Sequence, residues 1–125
     1  FPNAMITIIA SDNDYLQLAS DKVSIINLKY KNITDSKTSF KNAEKDLFCK
    51  IVTGDKSDNI PGIFKKCGIK TAEKYFNDND AFIKQLNTEN ADALYTRNKQ
   101  LIDFNMIPIE YVNEIKQQLD ELSID

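Results

Sequence analysis

The chain has no histidine and no tryptophan, only two cysteines, and three residues each of glycine and proline. The missing histidine excludes the most. Ser-His-Asp and Cys-His catalysis, HExxH zinc sites and any imidazole general base are ruled out. A catalytic metal would have to sit on carboxylates, whose hard oxygens suit magnesium or manganese. Cys49 and Cys67 are too few for a disulfide framework and lack CxxC spacing, and they read as reduced thiols of an intracellular protein. No apolar run approaches the roughly 20 residues of a membrane span, so no membrane partner is expected.

What remains is a chain of 125 residues, 42% hydrophobic and 28% charged. That is enough for one folded domain but short for an enzyme with a deep cleft. The chain opens Phe1-Pro2-Asn3-Ala4 ahead of Met5. The Pro-Asn pair reads as a natural loop before a strand, which favours a piece of a longer protein over an appended tag. Net charge is −3, mildly unfavourable for a nucleic-acid binder. The charge is uneven, however: seven lysines and four acids lie between Lys45 and Lys74, against one lysine and five acids from Glu110 to Asp125.

Met5 to Ala10 is a nearly continuous apolar, β-branched run and predicts a buried, parallel strand. Asp14 to Ala19 predicts a short helix and Val23 to Leu28 a second strand, together a compact βαβ crossover. Asn32 to Thr38 is polar and loop-like. Phe40, Ala43, Leu47, Phe48, Ile51 and Val52 carry helical spacing over Ser39 to Thr53. Lys56 to Phe76 holds two short amphipathic segments broken by Pro61-Gly62 and Gly68, with Thr71 as a helix N-cap. Asp80–Leu86 and Ala91–Arg97 predict further helices, Leu101–Phe104 a short strand, and Ile109–Leu122 an acidic amphipathic helix. The expected divisions are 1–53, an α/β core; 54–108, a helix-hairpin-helix region with its return segment; and 109–125, a C-terminal acidic helix.

Two carboxylate pairs stand out. Asp12 and Asp14 follow the first strand, where open α/β sheets collect ligands. Two carboxylates held together repel and want a cation or a shared proton between them. Taken alone, the pair reads more simply as helix capping by Asp12, with Asp14 in the first turn. An EF-hand does not: Gln17 and Val23 stand where its glycine and glutamate belong, and Ile60 and Lys66 do so counting from Asp55. Asp55 and Asp58 would share a face if Asp55–Asn59 formed a helical turn, although a plain capped turn is again open. Lys65-Lys66-Cys67-Gly68-Ile69-Lys70-Thr71-Ala72 follows as a glycine hairpin leading into a helix. Gly68 at positive φ would let a phosphate approach the backbone. The N–H groups at the Thr71 helix start would attract the phosphate, Lys65, Lys66, Lys70 and Lys74 would surround it, and Ala72 would permit close helix packing. Such an element grips a DNA backbone without reading bases, although an ordinary helix-turn-helix with solvated lysines fits the same residues.

With these residues in hand, Ile8-Ile9-Ala10-Ser11-Asp12-Asn13-Asp14-Tyr15-Leu16-Gln17-Leu18 resembles the strand-end motif of the 5′-nuclease family, which includes phage 5′-exonucleases, flap endonucleases and the 5′-exonuclease domain of bacterial DNA polymerase I. Val52-Thr53-Gly54-Asp55-Lys56-Ser57-Asp58-Asn59-Ile60-Pro61-Gly62 is similar to the family's second acidic motif. Gly68-Ile69-Lys70-Thr71-Ala72 resembles its helix-three-turn-helix, and Tyr95–Pro108 the segment after it. The likeness covers most of residues 5–108. It implies the C-terminal half of a PIN-like α/β nuclease domain, with short parallel strands followed by a helical helix-hairpin-helix region. By that resemblance Asp12, Asp14, Asp55 and Asp58 match acids that hold one of two Mg2+ or Mn2+ ions, and Gly62 and Gly68 match hairpin glycines. The implied activity is 5′-3′ exonuclease or 5′-flap endonuclease cleavage of DNA, or of an RNA–DNA hybrid, at a 5′ end, flap or nick. One hairpin glycine of the family is lost at Lys66-Cys67-Gly68, which puts in question a K+ ion that some relatives bind there. The family's other metal ligands lie upstream of the matching region, so this portion alone should be weakly active or inactive, and an N-terminal half is the expected partner. A bare sheet edge would also favour self-association. The competing reading is a non-catalytic helix-hairpin-helix DNA-binding module of a larger replication or repair protein.

Overall fold

A computed structural model describes residues 1–122. The final residues of the expected 109–125 segment lie outside them. Two strands, β1 (Ile6–Ile9) and β2 (Val23–Ile26), pair in parallel with Ile6 opposite Val23 and Ile9 opposite Ile26. A 3-10 helix, Asn13–Leu18, connects them, giving the expected crossover. The α-helices of the described residues are α1 (Ala43–Thr53), α2 (Ile69–Asn77), α3 (Asn79–Glu89), α4 (Asp92–Ile102) and α5 (Ile109–Glu121).

Two apolar clusters hold these elements. The larger gathers Cys49 and Val52 of α1, Ile63 and Phe64 of the following loop, Ala72 of α2, Phe82 and Leu86 of α3, and Ala91. Its aromatic rings meet edge-on: Phe82 stands 4.9 Å from Phe48, 5.4 Å from Tyr95 and 6.1 Å from Phe64, the geometry that ring quadrupoles favour. Ala72 is fully buried and so allows the close approach expected of it. The smaller cluster is Leu16, Ile25 and Ile33, flanked by Ile8 and Ala19.

Several expectations are corrected. β1 is not a buried strand: Ile6 and Ile9 are exposed, because β2 is its sole partner among the described residues and covers one edge. Leu101–Phe104 is not a strand. It is the end of α4 followed by a 3-10 turn, Phe104–Met106. Thr71 does not cap α2, which starts at Ile69 with Gly68 in the capping position. The polar Asn32–Thr38 loop contains a 3-10 turn, Ile33–Asp35. Lys56–Phe76 contains one helix, α2, among the described residues rather than two helical segments. No helix of the described residues is long and apolar enough to cross a membrane.

Candidate metal centre and nucleic-acid interface

After α1 the chain reverses sharply. Gly54 sits at φ 78°, and a Cβ there would lie 2.3 Å from the Ile60 carbonyl oxygen, so no side chain fits. Asp55 and Ile60 then exchange backbone hydrogen bonds of 2.7 and 2.8 Å, with Asn59 in the left-handed region at φ 58°. Asp55–Asn59 is therefore a hairpin-like turn, the plain turn that the sequence left open, and not a helical one. Gly62 is packed so tightly that a Cβ would stand 3.0 Å from the Thr53 carbonyl oxygen, which holds the turn against the end of α1.

This turn brings its acids to the 3-10 helix Asn13–Leu18. One carboxylate oxygen from each of Asp14, Asp55 and Asp58 lies within 4.8 Å of the others, though β2 and α1 separate Asp14 from Asp55 in the sequence. Asp14 and Asp55 are half-buried and Asp58 is exposed. Asp12 is outside this trio. Its Oδ1 accepts the Asp14 N–H at 2.8 Å and caps the 3-10 helix.

Lys50, in the last turn of α1, joins the trio from below. Its Nζ contacts Asp14 Oδ1 and lies 3.0 Å from Asp55 Oδ2. Burial works against the Lys50 charge, but hydrogen bonds to Asp14 and Asp55 overcome it and lift its pKa above the ordinary lysine value. Asp55 Oδ1 also accepts the Ser57 hydroxyl at 2.6 Å and the Ser57 N–H at 3.0 Å. The Ser57 hydroxyl, with Lys50 behind it, holds the Asp55 carboxyl down to about 2. The cluster is thus an all-oxygen donor set that already draws in a cation. Sequence reasoning missed Lys50. Its signal is its position one helical turn before Gly54, which aims it back at the acidic turn.

The basic residues form a separate surface. Lys65, Lys66, Lys70 and Lys74 are all exposed, and none makes an ion pair with a described residue. Thr71 is half-buried inside α2. Gly68 has φ −87° and not the positive φ expected, and a Cβ on it would meet nothing within 4 Å. The first turn of α2 has no side-chain cap, so its N–H groups open toward this lysine-rich face.

No protein-family model matches the chain. Solved structures do. A point mutant of the bacteriophage T5 5′-exonuclease aligns with TM-score 0.65 and 23% identity over 78% of this chain and 46% of its own. The T5 flap endonuclease in a pseudo-enzyme-product complex with DNA and metal ions gives TM-score 0.65 and 23% identity, over 78% of this chain and 42% of its own. A zinc-bound form of the T5 5′-exonuclease gives TM-score 0.64 at 23% identity, covering 78% and 42%. The chain spans less than half the length of these structures. Over 78% of its residues, this chain has the fold of the T5 5′-exonuclease and flap endonuclease.

Proposed function

We propose that this chain is the C-terminal portion of the catalytic domain of a divalent-metal-dependent 5′-nuclease acting on DNA. The observation that carries the reading is the convergence of Asp14, Asp55 and Asp58 from two distant segments, with the Lys50 ammonium on Asp14 and Asp55. Carboxylates brought this close favour a cation between them, and the Lys50 ion pairs with Asp14 and Asp55 support that reading. The oxygen-only donor set fits Mg2+ or Mn2+. In this reading Asp14, Asp55 and Asp58 hold the ion, with Asp12 next to Asp14 at the same strand end. A bound divalent ion would supply the activation of water and the stabilisation of a leaving oxygen that phosphodiester hydrolysis needs.

The chain's own residues divide the remaining work. Lys50 balances charge among the carboxylates and must yield to an arriving ion. Lys65, Lys66, Lys70 and Lys74, with Gly62, Gly68, Thr71 and the free N–H groups of α2, take the phosphates of one strand beside the site. The substrate class is DNA with a 5′ end, flap or nick, or an RNA–DNA hybrid. The hairpin gives no added support to a K+ site. The remaining acidic ligands come from an N-terminal half, and the open outer edge of β1 suits pairing with its strands or with a second copy. The two free thiols fit an intracellular setting.

One observation favours the second reading, a non-catalytic DNA-binding module: Lys50 already neutralises part of the trio, so the trio can stand without metal. Mn2+ titration followed by electron paramagnetic resonance separates the two. The nuclease reading expects saturable Mn2+ binding that Asp14→Asn and Asp55→Asn weaken by at least about tenfold, with Asp80→Asn as an unaffected control. Equal binding by all of these proteins, or none by the wild type, would leave the DNA-binding module.

A further inference from the structure

Among the described residues no side chain of α4 bonds to Asp14, Asp55 or Asp58, yet both acidic segments are tied to it. Asn98 is completely buried. Its Nδ2 donates to the Ile51 carbonyl oxygen at 2.9 Å and to the Pro61 carbonyl oxygen at 2.8 Å. Those carbonyls stand on either side of the acidic turn: Ile51 is in the last turn of α1, and Pro61 immediately follows the Asp55–Ile60 pair. A carbonyl in a helix's last turn has no partner in its own helix, so the Asn98 amide supplies one. Two bonds from Arg97, Nε at 3.0 Å and Nη2 at 2.8 Å, hold Asn98 Oδ1 and fix which way the amide faces.

The other acidic segment is tied in the same manner four residues further on. Gln17 Nε2 donates to the Asp14 carbonyl oxygen and to the Ile102 carbonyl oxygen, each at 3.0 Å, and Gln17 Oε1 accepts the Phe104 N–H at 2.9 Å. Asn98 and Ile102 are one turn apart on one face of α4, an axial rise of about 6 Å. Every polar atom of both amide groups is used. Their partners are the backbone of the Asp14 segment, the backbone flanking Asp55 and Asp58, α4 itself and the 3-10 turn that follows it.

We infer that Asn98 and Gln17 are positioning residues that use one turn of α4 as the spacer between Asp14 and the Asp55–Asp58 turn. They touch no substrate and act through backbone carbonyls. This explains a role for the Arg97-Asn98 segment, which the acidic and basic motifs left unused. The inference rests on the metal reading of the trio and adds what sets its geometry. Outer partners of metal ligands commonly govern affinity by about 10- to 100-fold, because a small displacement of one carboxylate spoils a rigid oxygen cage.

The test measures Mn2+ affinity of the folded chain together with its thermal midpoint, for Gln17→Met, Asn98→Ala and a core control, Phe82→Leu. Positioning predicts that Gln17→Met and Asn98→Ala weaken Mn2+ binding by about tenfold or more. Phe82→Leu should lower the midpoint at least as far as Gln17→Met while leaving the affinity unchanged. If Asn98→Ala does not fold, Gln17→Met, at a half-buried surface position, decides alone. Wild-type affinity in Gln17→Met, or an equal loss in Phe82→Leu, overturns the inference while leaving the metal site intact. Absence of Asp55-dependent Mn2+ binding in the wild type overturns the metal reading and this inference with it.

Discussion

Around Asp55 and Asp58 the chain is anchored in a cluster of eight buried residues from α1, the loop after it, α2, α3 and the start of α4. Around Asp14 the buried set is Leu16, Ile25 and Ile33, next to a strand whose Ile9 is 69% exposed. One side of the site is fixed by interlocking rings and the other by polar ties, through Gln17 and Lys50, to its better-packed neighbour. Burial of a large side chain is worth roughly 1.5–3 kcal/mol, whereas a typical hydrogen bond nets about 1 kcal/mol. The Asp14 side is therefore the softer, and the distance between the acids depends on the ties rather than on a shared apolar core.

The sharpest attack on this contrast is Phe82→Ala. Phe82 contacts rings from α1, the loop after it, α2 and α4, and its truncation should lower the urea-unfolding free energy by about 3–5 kcal/mol. Strand amides that stay protected from hydrogen exchange after the helices have melted in this variant would reverse the ranking of the two regions. A smaller effect is expected from Lys50→Met, which takes charge-assisted hydrogen bonds from two half-buried carboxylates. In metal-free buffer it should reduce stability by about 1.5–3 kcal/mol, and saturating Mn2+ should raise the midpoint further in the variant than in the wild type. Equal midpoints without metal would mean that the tie between the regions lies elsewhere. The gentlest probe is thiol labelling. Cys49 lies in the larger cluster, where burial pushes its thiol up to about 11; Cys67 is partly exposed, with burial raising its pKa as well. At pH 8 a thiol reagent should modify Cys67 in the native chain and reach Cys49 after denaturation. Native labelling of both would show that the larger cluster opens readily.

Much of the fold could be read locally. The β-branched run at Ile6–Ile9 and the spacing of Ala43, Leu47, Ile51 and Val52 name their elements from neighbouring residues alone. Errors fell where the deciding contact is distant. Leu101 and Ile102 have strand-like composition, but α4 runs through both, and the Ile102 carbonyl is taken by Gln17 from 85 positions away. Thr71 offered a cap by residue type, yet the chain enters α2 at Gly68, leaving Thr71 inside. The same divide separates the parts of the site. Asp14, Asp55 and Asp58 are visible as motif acids, and the structure brings them together. Lys50, Gln17 and Asn98 look like ordinary helical residues until the chain is folded, because each acts on a segment remote in sequence.

Lys50 also bears on how the trio would be filled. Its ammonium is tethered to the site, so its local concentration is set by the length of one side chain and does not fall when the protein is diluted. A divalent ion from solution would therefore compete with an intramolecular occupant, and its apparent affinity would be that of the bare carboxylates reduced by this competition.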